Sequence, residues 1–337
     1  MGESQRLKLA LVGAETLLGK DLREIVEARS AKAAITTFAA SGEGNFGEEE
    51  GEAVYLEPLS AETIADTSAV LIAGNADGAK KAYTLVKATG KHPLLIDCTG
   101  HLGSEPEAKI MAPLLGQVSA EQKWLLVIGH PAATALAAVL EKLANSASIR
   151  QAIAHVFEPA SERGQRGLSE LHQQTTALLS FKSLDRAVFD AQLSFNLLAQ
   201  YGEEAPLNLL SVEQRIERDL ATILAWQSTA LPMPSLRLIQ VPVFHGYSIS
   251  LWVEFAGNAD AAGIAQALAS PQIEVRAQSE EPPTGVGVTG QSGLIAGDIR
   301  VDVNNPRAVW IWIVADNLRM VAEAAAEIVD TLEGLRL

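Results

Sequence analysis

An alternation runs through roughly the first 130 residues and limits the chain to few folds. LKLALVG (7–13) is a short apolar run ending in glycine. LLGKDLREIVEAR (17–29) follows, with Leu18, Leu22, Ile25 and Val26 at helical period. AITTFAA (34–40) is rich in strand formers, SAVLIAGN (68–75) reads as a buried strand, and DGAKKAYTLVKA (77–88) reads as a helix. PLLIDCTG (93–100) and WLLVIGH (124–130) are two further buried-strand runs. This alternation predicts parallel strands with helices on both faces. Ligands of such sheets bind at the carboxyl ends of the strands, which here carry Gly13, Gly74, Asp97–Thr99 and Gly129–Ala133.

The texture changes from about residue 150. RQAIAHVFEPA predicts a strand, ERGQRGLSELHQQTTALLSF a helix, and SVEQRIERDLATILAW (211–226) an amphipathic helix opened by a Ser211/Gln214 capping box. LRLIQVPVFHGYSISLWVEF reads as one long β region, with Ile249, Leu251, Val253 and Phe255 alternating. On a regular strand His245 and Tyr247 share a face, and either is a candidate proton carrier. Residues 280–297 read as loop, VWIWIVA (309–315) as a buried strand, and Leu318 to Leu335 as a closing helix. This half is therefore expected to be α+β.

Composition narrows the function. The net charge of −15 disfavours nucleic acid and anionic membranes, both of which need basic patches. The longest charge-free apolar run, Trp124 to Leu140, is broken at Gly129–Pro131, so it reads as strand plus helix rather than a membrane span. The start MGESQRLK has no apolar signal region, and Cys98, the sole cysteine, has no partner for an intrachain disulfide, so a cytoplasmic location is expected. No metal-ligand spacing is present.

Four places carry candidate chemistry. GAETLLGKDL follows the first strand. Gly13 and Gly19 suit the tight turn and the helix–strand contact of a dinucleotide fingerprint, but Thr16 takes the middle place, where a side chain would crowd a phosphate. SGEGNFGEEEGE (41–52) follows the second strand, where an adenosine ribose would lie; its glutamates and lack of any basic residue favour NAD over NADP, if either binds. Cys98 sits at a strand's carboxyl end, although Asp97 beside it would raise its pKa. LLVIGHPAATALAAVL (125–140) predicts a strand, a sharp turn and a helix from about Ala132, a good seat for a nucleophile, yet the turn holds alanines and no Cys or Ser.

These pieces, in this order, resemble aspartate-semialdehyde dehydrogenase over nearly the whole chain. GAETLLG stands for a GATGxVG-like loop, LIAGNA for its counterpart, IDCTGHL for DNSSAFR, and GHPAAT for NPNCxT. FEPASERG stands for YQAVSGAG, SVEQRIERDL for an EExKM-like helix, QVPVFHGYS for RVPVxxGHS, and VADNLRMVAEAAAEI for DNLRKGAALNAVQIA. The resemblance implies an α/β Rossmann-like dinucleotide-binding domain over 1–131, to which a C-terminal helix 317–337 returns. It also implies an α+β mixed-sheet domain over 132–316 that forms a homodimer. The family reduces aspartyl phosphate with NADPH through a cysteine thioester, a histidine moves protons, and arginines hold carboxylate and phosphate.

Most of that machinery is replaced here. The nucleophile's place falls on Ala133, the histidine's on Tyr247, and the carboxylate-binding arginine's on Gln240. The glutamine beside the nucleophile falls on Glu158, a phosphate-binding arginine on Gly103, and the NADP-reading arginine on Glu43. Glu213, Arg215, Asp316, Asn317 and Arg319 are retained. The cofactor side, by the same matching, comprises Gly13, Thr16, Leu17, Gly19, Ser41, Gly74 and Asn317. This pattern resembles the Usg-type branch of the family. It leaves three expectations: a homodimer that does not run the parental reaction, an NAD-dependent oxidoreductase using Tyr247 and Cys98, or a structural or regulatory partner.

Overall fold

The computed structural model of the chain describes residues 7–30, 33–49, 52–90, 92–116, 123–226 and 231–334. It forms two compact units, one from residues 1–129 and 321–337 and the other from 130–320.

In the first unit, apolar runs too short for a helix become strands of a buried sheet. They are β1 (Leu7–Val12), β2 (Ala33–Phe38), the hairpin β3 (Asn45–Glu49) and β4 (Glu52–Leu56), β5 (Ala69–Ile72), β6 (Leu94–Asp97), β7 (Ala108–Met111) and β8 (Leu125–Ile128). Helices α1 (Leu17–Arg29), α2 (Ala61–Ala65) and α3 (Ala76–Ala88) intervene. The main sheet has the order β2-β1-β5-β6-β8-β7, with every adjacent pair parallel. All four residues of β5 and of β8 are buried, as expected of strands covered on both faces. The chain leaves β1 for β2 on one side and returns to β5 on the other. That reversal is the switch point where ligands of open α/β sheets bind.

The second unit begins with α4 (Pro131–Ser146). It continues through β9 (Ile149–Glu158), α5 (Gly164–Leu179), α6 (Leu209–Leu224), β10 (Ser235–Gln240), β11 (Tyr247–Phe255), α7 (Ala261–Leu268), β12 (Ile273–Val275), α8 (Gly285–Val288), β13 (Leu294–Asp302) and β14 (Asn305–Ala315). Its sheet runs β10-β9-β11-β14-β13-β12, parallel at both edges and antiparallel between. Alternation sorts the faces: Ile249, Leu251 and Val253 with Val309, Ile311 and Ile313 are buried, whereas Trp252, Trp310 and Trp312 on the opposite face are half-exposed. The last helix, α9 (Asn317–Gly334), is divided between the units after Met320; Val321, Ala322, Ala325 and Ala326 pack into the core of the first. No helix among the described residues is long and apolar enough to cross a membrane.

The structure corrects several sequence expectations. The long β region is two strands, because Gly246 adopts φ +85° and breaks it; His245 precedes the strand and shares no regular face with Tyr247. Helix α6 starts earlier than expected, capped by Asn208 through Leu210 N–H, so Ser211 lies in its first turn and not at a capping box. The stretch 280–297 holds α8 and the start of β13. The acidic 41–52 segment contributes the hairpin strand Asn45–Glu49, paired with Glu52–Leu56.

Backbone closeness at the β1–α1 turn depends on glycine. A Cβ on Gly19 would lie 2.0 Å from the Gly13 carbonyl oxygen. Gly19→Ala is therefore expected to lower stability by about 1–3 kcal/mol, whereas Lys20→Ala, one residue on and exposed, should stay within about 0.5 kcal/mol. Urea unfolding of the two variants checks this.

Candidate functional site

The corner between β8 and α4 places its side chains before any chemistry is considered. His130 caps α4: its Nδ1 accepts the Ala132 N–H at 3.2 Å, so the ring proton of the neutral imidazole belongs on Nε2. Burial, with Arg215 and Arg163 adding to it, pushes His130 well below the usual histidine range. Its backbone N–H donates to Asp219 of α6. Ala133, two residues into the helix, is fully buried.

The sheet brings the remaining positions together. Glu158 ends β9, Gln240 ends the adjacent β10, and Tyr247 starts β11 on the other side. All three are 0 % exposed, so the carboxylate needs compensation inside the protein. Arg163, in the turn before α5, donates its Nη2 to Glu158 Oε1. Tyr201 donates its hydroxyl to Gln240 Oε1 at 2.6 Å and receives Arg163 Nε at 3.2 Å. The Gln240 amide nitrogen reaches the Glu158 and Val241 carbonyl oxygens. Tyr247 Oη stands 3.4 Å from Glu158 Oε2 and 3.5 Å from His130 Nε2. Burial, then Glu162 and Glu158, push the Tyr247 phenol well above its usual range, so it keeps its proton. Burial alone would lower Arg163, but Glu158, Tyr201 and Glu162 outweigh it and hold its pKa raised.

The retained positions are likewise engaged. Glu213 Oε2 accepts the Leu238 N–H at 2.6 Å, and Arg215 Nε lies 3.5 Å from Asp219 Oδ2. Asn317 lies in the second unit, where its Oδ1 meets Gly246 N and Ser161 Oγ and its Nδ2 donates to Glu162. Asp316 accepts from Leu318, Arg319 and Gly290 N–H groups.

In the first unit the turns at the carboxyl ends of β1, β2 and β5 press backbone against backbone. Gly13 adopts φ +92°, with its missing Cβ 2.5 Å from Gly74 N; Cβ atoms on Gly74 and Gly78 would fall 2.3 and 2.2 Å from the Ala40 carbonyl oxygen. Thr16 does not crowd this turn. It is the N-cap of α1, accepting Gly19 N–H, with its hydroxyl 2.8 Å from the Gly13 carbonyl and 3.0 Å from that of Ala73. Leu17 and Leu18 then offer the first N–H groups of the helix. Such a cradle fits a dinucleotide, whose pyrophosphate Leu17 and Leu18 would receive. Ser41 Oγ accepts Glu43 N–H. The acidic segment has a cation after all: Lys81 of α3 reaches Glu43 at 2.7 Å and the Gly42 carbonyl at 2.8 Å. No basic residue stands within the segment itself because Lys81 arrives from α3, beyond α2 and β5 in the chain.

Cys98 is buried, and burial followed by Asp97 pushes its thiol far up, so it is no ready nucleophile. Asp97 instead receives the N–H groups of Thr99, Gly100 and Leu102 and shapes the turn containing Gly103. A surface pocket of about 200 Å³ between α5 and residues 185–188 contains Glu170, whose carboxylate is already bonded to Val188 and Phe189 N–H. Sequence reasoning did not single out His130, Glu162, Arg163, Tyr201 or Asp219. Glu162 and Arg163 had a signal, since they stand where the YQAVSGAG pattern has small residues. Tyr201 had none.

Residues 140–320 match the family model described as the semialdehyde dehydrogenase dimerisation domain. A USG-1 protein homolog of Pseudomonas aeruginosa is 28 % identical over 335 residues, 98 % of each chain. The structure of a probable aspartate-semialdehyde dehydrogenase from Pseudomonas aeruginosa superposes with a TM-score of 0.82 at 26 % identity, covering 99 % of this chain and 100 % of that one. An aspartate semialdehyde dehydrogenase from Candida albicans, solved with NADP, shares the fold at 12 % identity and TM-score 0.68, covering 98 % and 99 %.

The buried pair makes a measurable demand. Arg163→Met strands the Glu158 carboxylate and is expected to cost about 3–5 kcal/mol in urea unfolding. In a Glu158→Gln background the same change should cost far less. Equal costs in both backgrounds would mean the two side chains do not depend on each other.

Proposed function

The chain belongs to the semialdehyde dehydrogenase family, and from that premise we propose that it is a Usg-type member that no longer runs the parental reaction and acts as a non-catalytic, dinucleotide-binding homodimer. One observation carries the reading. At the end of β9, where the resemblance puts a neutral glutamine, this chain holds the fully buried Glu158 carboxylate and pairs it with its own Arg163.

Three further features support it. Ala133 supplies a methyl group where a thioester needs sulfur, and no arrangement of neighbours replaces the missing bond-forming atom. Glu158 would oppose a thiolate at that corner where a neutral glutamine would not. Tyr247 is enclosed and keeps its proton, so it is a poor stand-in for a histidine that must gain and lose one. That enclosure, with the buried Cys98, also weighs against an oxidoreductase built on those two residues.

The first unit favours retention of a ligand. Its glycine turns and the start of α1 keep the form of a dinucleotide cradle. Bound there, a nicotinamide dinucleotide would supply hydride chemistry, and NAD fits Glu43 better than NADP does. The homodimer rests on the half-exposed Trp252, Trp310 and Trp312 on the outward sheet face and on the family's dimerisation domain.

An assay with aspartate semialdehyde, phosphate and NADP should give no turnover, and Ala133→Cys alone should not restore it, because Tyr247, Gln240 and Glu158 remain. Calorimetric titration with NAD should register binding. Parental activity in the single substitution would contradict the proposal.

A further inference from the structure

The sheet of the second unit is closed on one face and open on the other. Inward-facing Ile249, Leu251 and Ile313 are fully buried, whereas outward-facing Ile153, Phe157, Ile239, Trp252, Trp310 and Trp312 all remain partly exposed. Pairing sets these outward side chains next to one another. Ile153 lies opposite Trp252 and Trp252 opposite Trp310, while the Phe157 and Trp312 rings stand 5.8 Å apart. Trp252 already donates its Nε1–H to Asp302 at 2.7 Å, so its polar end is satisfied and the ring is left for packing. Helix α8 covers this face only at Ile295 and Val314, through Val288.

The size of the face and its place in the chain identify what covers it. β9, β11, β13 and β14 are nine to eleven residues long. With strands about 4.8 Å apart and about 3.4 Å per residue, the five-strand face from β10 to β13 spans on the order of 700 Å². A standard interface takes about 800 Å² from each partner. Every strand of the face lies within the residues that match the dimerisation domain, which makes a second copy of this chain the occupant. A two-fold dimer uses the same patch on both copies, so each residue of it is buried twice.

One titratable residue stands in the middle of this patch. His155 lies between Ile153 and Phe157 along β9, opposite Arg237 on β10 and Ser250 on β11. No acid is positioned to balance it: Glu254, the carboxylate of β11 on this face, is paired with Arg307 at 2.6 Å, and Asp302 holds Trp252. Histidine changes charge between pH 5 and 8. A protonated His155 beside Arg237 would place two cations under the apolar face of the second copy, where burying charge without a partner is unfavourable.

We propose that two copies of the chain meet through this open sheet face with His155 at the centre of contact, and that protonation of His155 separates them. The inference rests on the homodimer reading above. The separated chains bind more protons than the dimer, so lowering the pH favours separation. Two histidines are involved per dimer, which allows the dissociation constant to rise by up to about a hundredfold for each pH unit once the separated chains are protonated.

The test is sedimentation of the fluorescently labelled full chain from nanomolar to micromolar concentration at about pH 8 and about pH 5.5, either side of the histidine range. The parent, His155→Gln, His155→Phe and Trp310→Asp are compared, with thermal unfolding as the folding control. The parent should dimerise at the higher pH and weaken by at least about tenfold at the lower. His155→Gln and His155→Phe should dimerise almost equally at both, and Trp310→Asp should be monomeric at both. A parent dimer of equal strength at the two pH values, or a pH dependence that persists in both His155 variants, overturns the switch and leaves the homodimer standing. A Trp310→Asp dimer as strong as the parent overturns the assigned face. A parent that is monomeric throughout overturns the homodimer and the inference together.

Discussion

A buried carboxylate in need of a cation organises the second unit. Glu158 ends a strand with no access to water, so the chain must bring a positive charge to it or pay several kcal/mol in desolvation. Arg163 arrives from the turn only five residues on and meets it. Tyr201 and Gln240 close the remaining hydrogen bonds, and Tyr247 and His130 stand beside them. Ala133, fully buried, packs at the start of α4.

The two units have been treated differently. The first preserves a frame that depends on backbone rather than on catalytic side chains: glycines that permit contact at 2.0 to 2.5 Å from an added Cβ, a capped helix start, and a reversal of strand order. The second joins its strand ends through a polar network of Glu158, Arg163, Tyr201 and Gln240. A fold supports both outcomes because function lies in a few side chains set on it.

Much of this was legible in the sequence, for identifiable reasons. Runs such as AVLI and LLVI are apolar throughout because both faces of their sheet are covered, and they stand out against the helical spacing between them. β7 did not, because AKIM is short and carries a lysine. The break at Gly246 depends on a left-handed backbone that no periodicity records. Within the site, Ala133, Glu158, Gln240 and Tyr247 were found by resemblance to a motif order. Arg163, Tyr201 and His130 were not, because their meaning lies in partners from other elements. Lys81 illustrates the same limit: it lies 38 residues from Glu43 and neutralises it across a fold that charge counting along the chain does not see.

If Arg163 depends on the Glu158 carboxylate for its counter-charge, removing that side chain should leave a site that small carboxylates can refill. Thermal unfolding of Glu158→Ala across an acetate or formate titration measures this directly. The account predicts a destabilised variant whose melting temperature rises saturably with the added anion, while the parent chain does not respond beyond ionic strength. Equal stabilisation of parent and variant, or none in a folded variant, would contradict it.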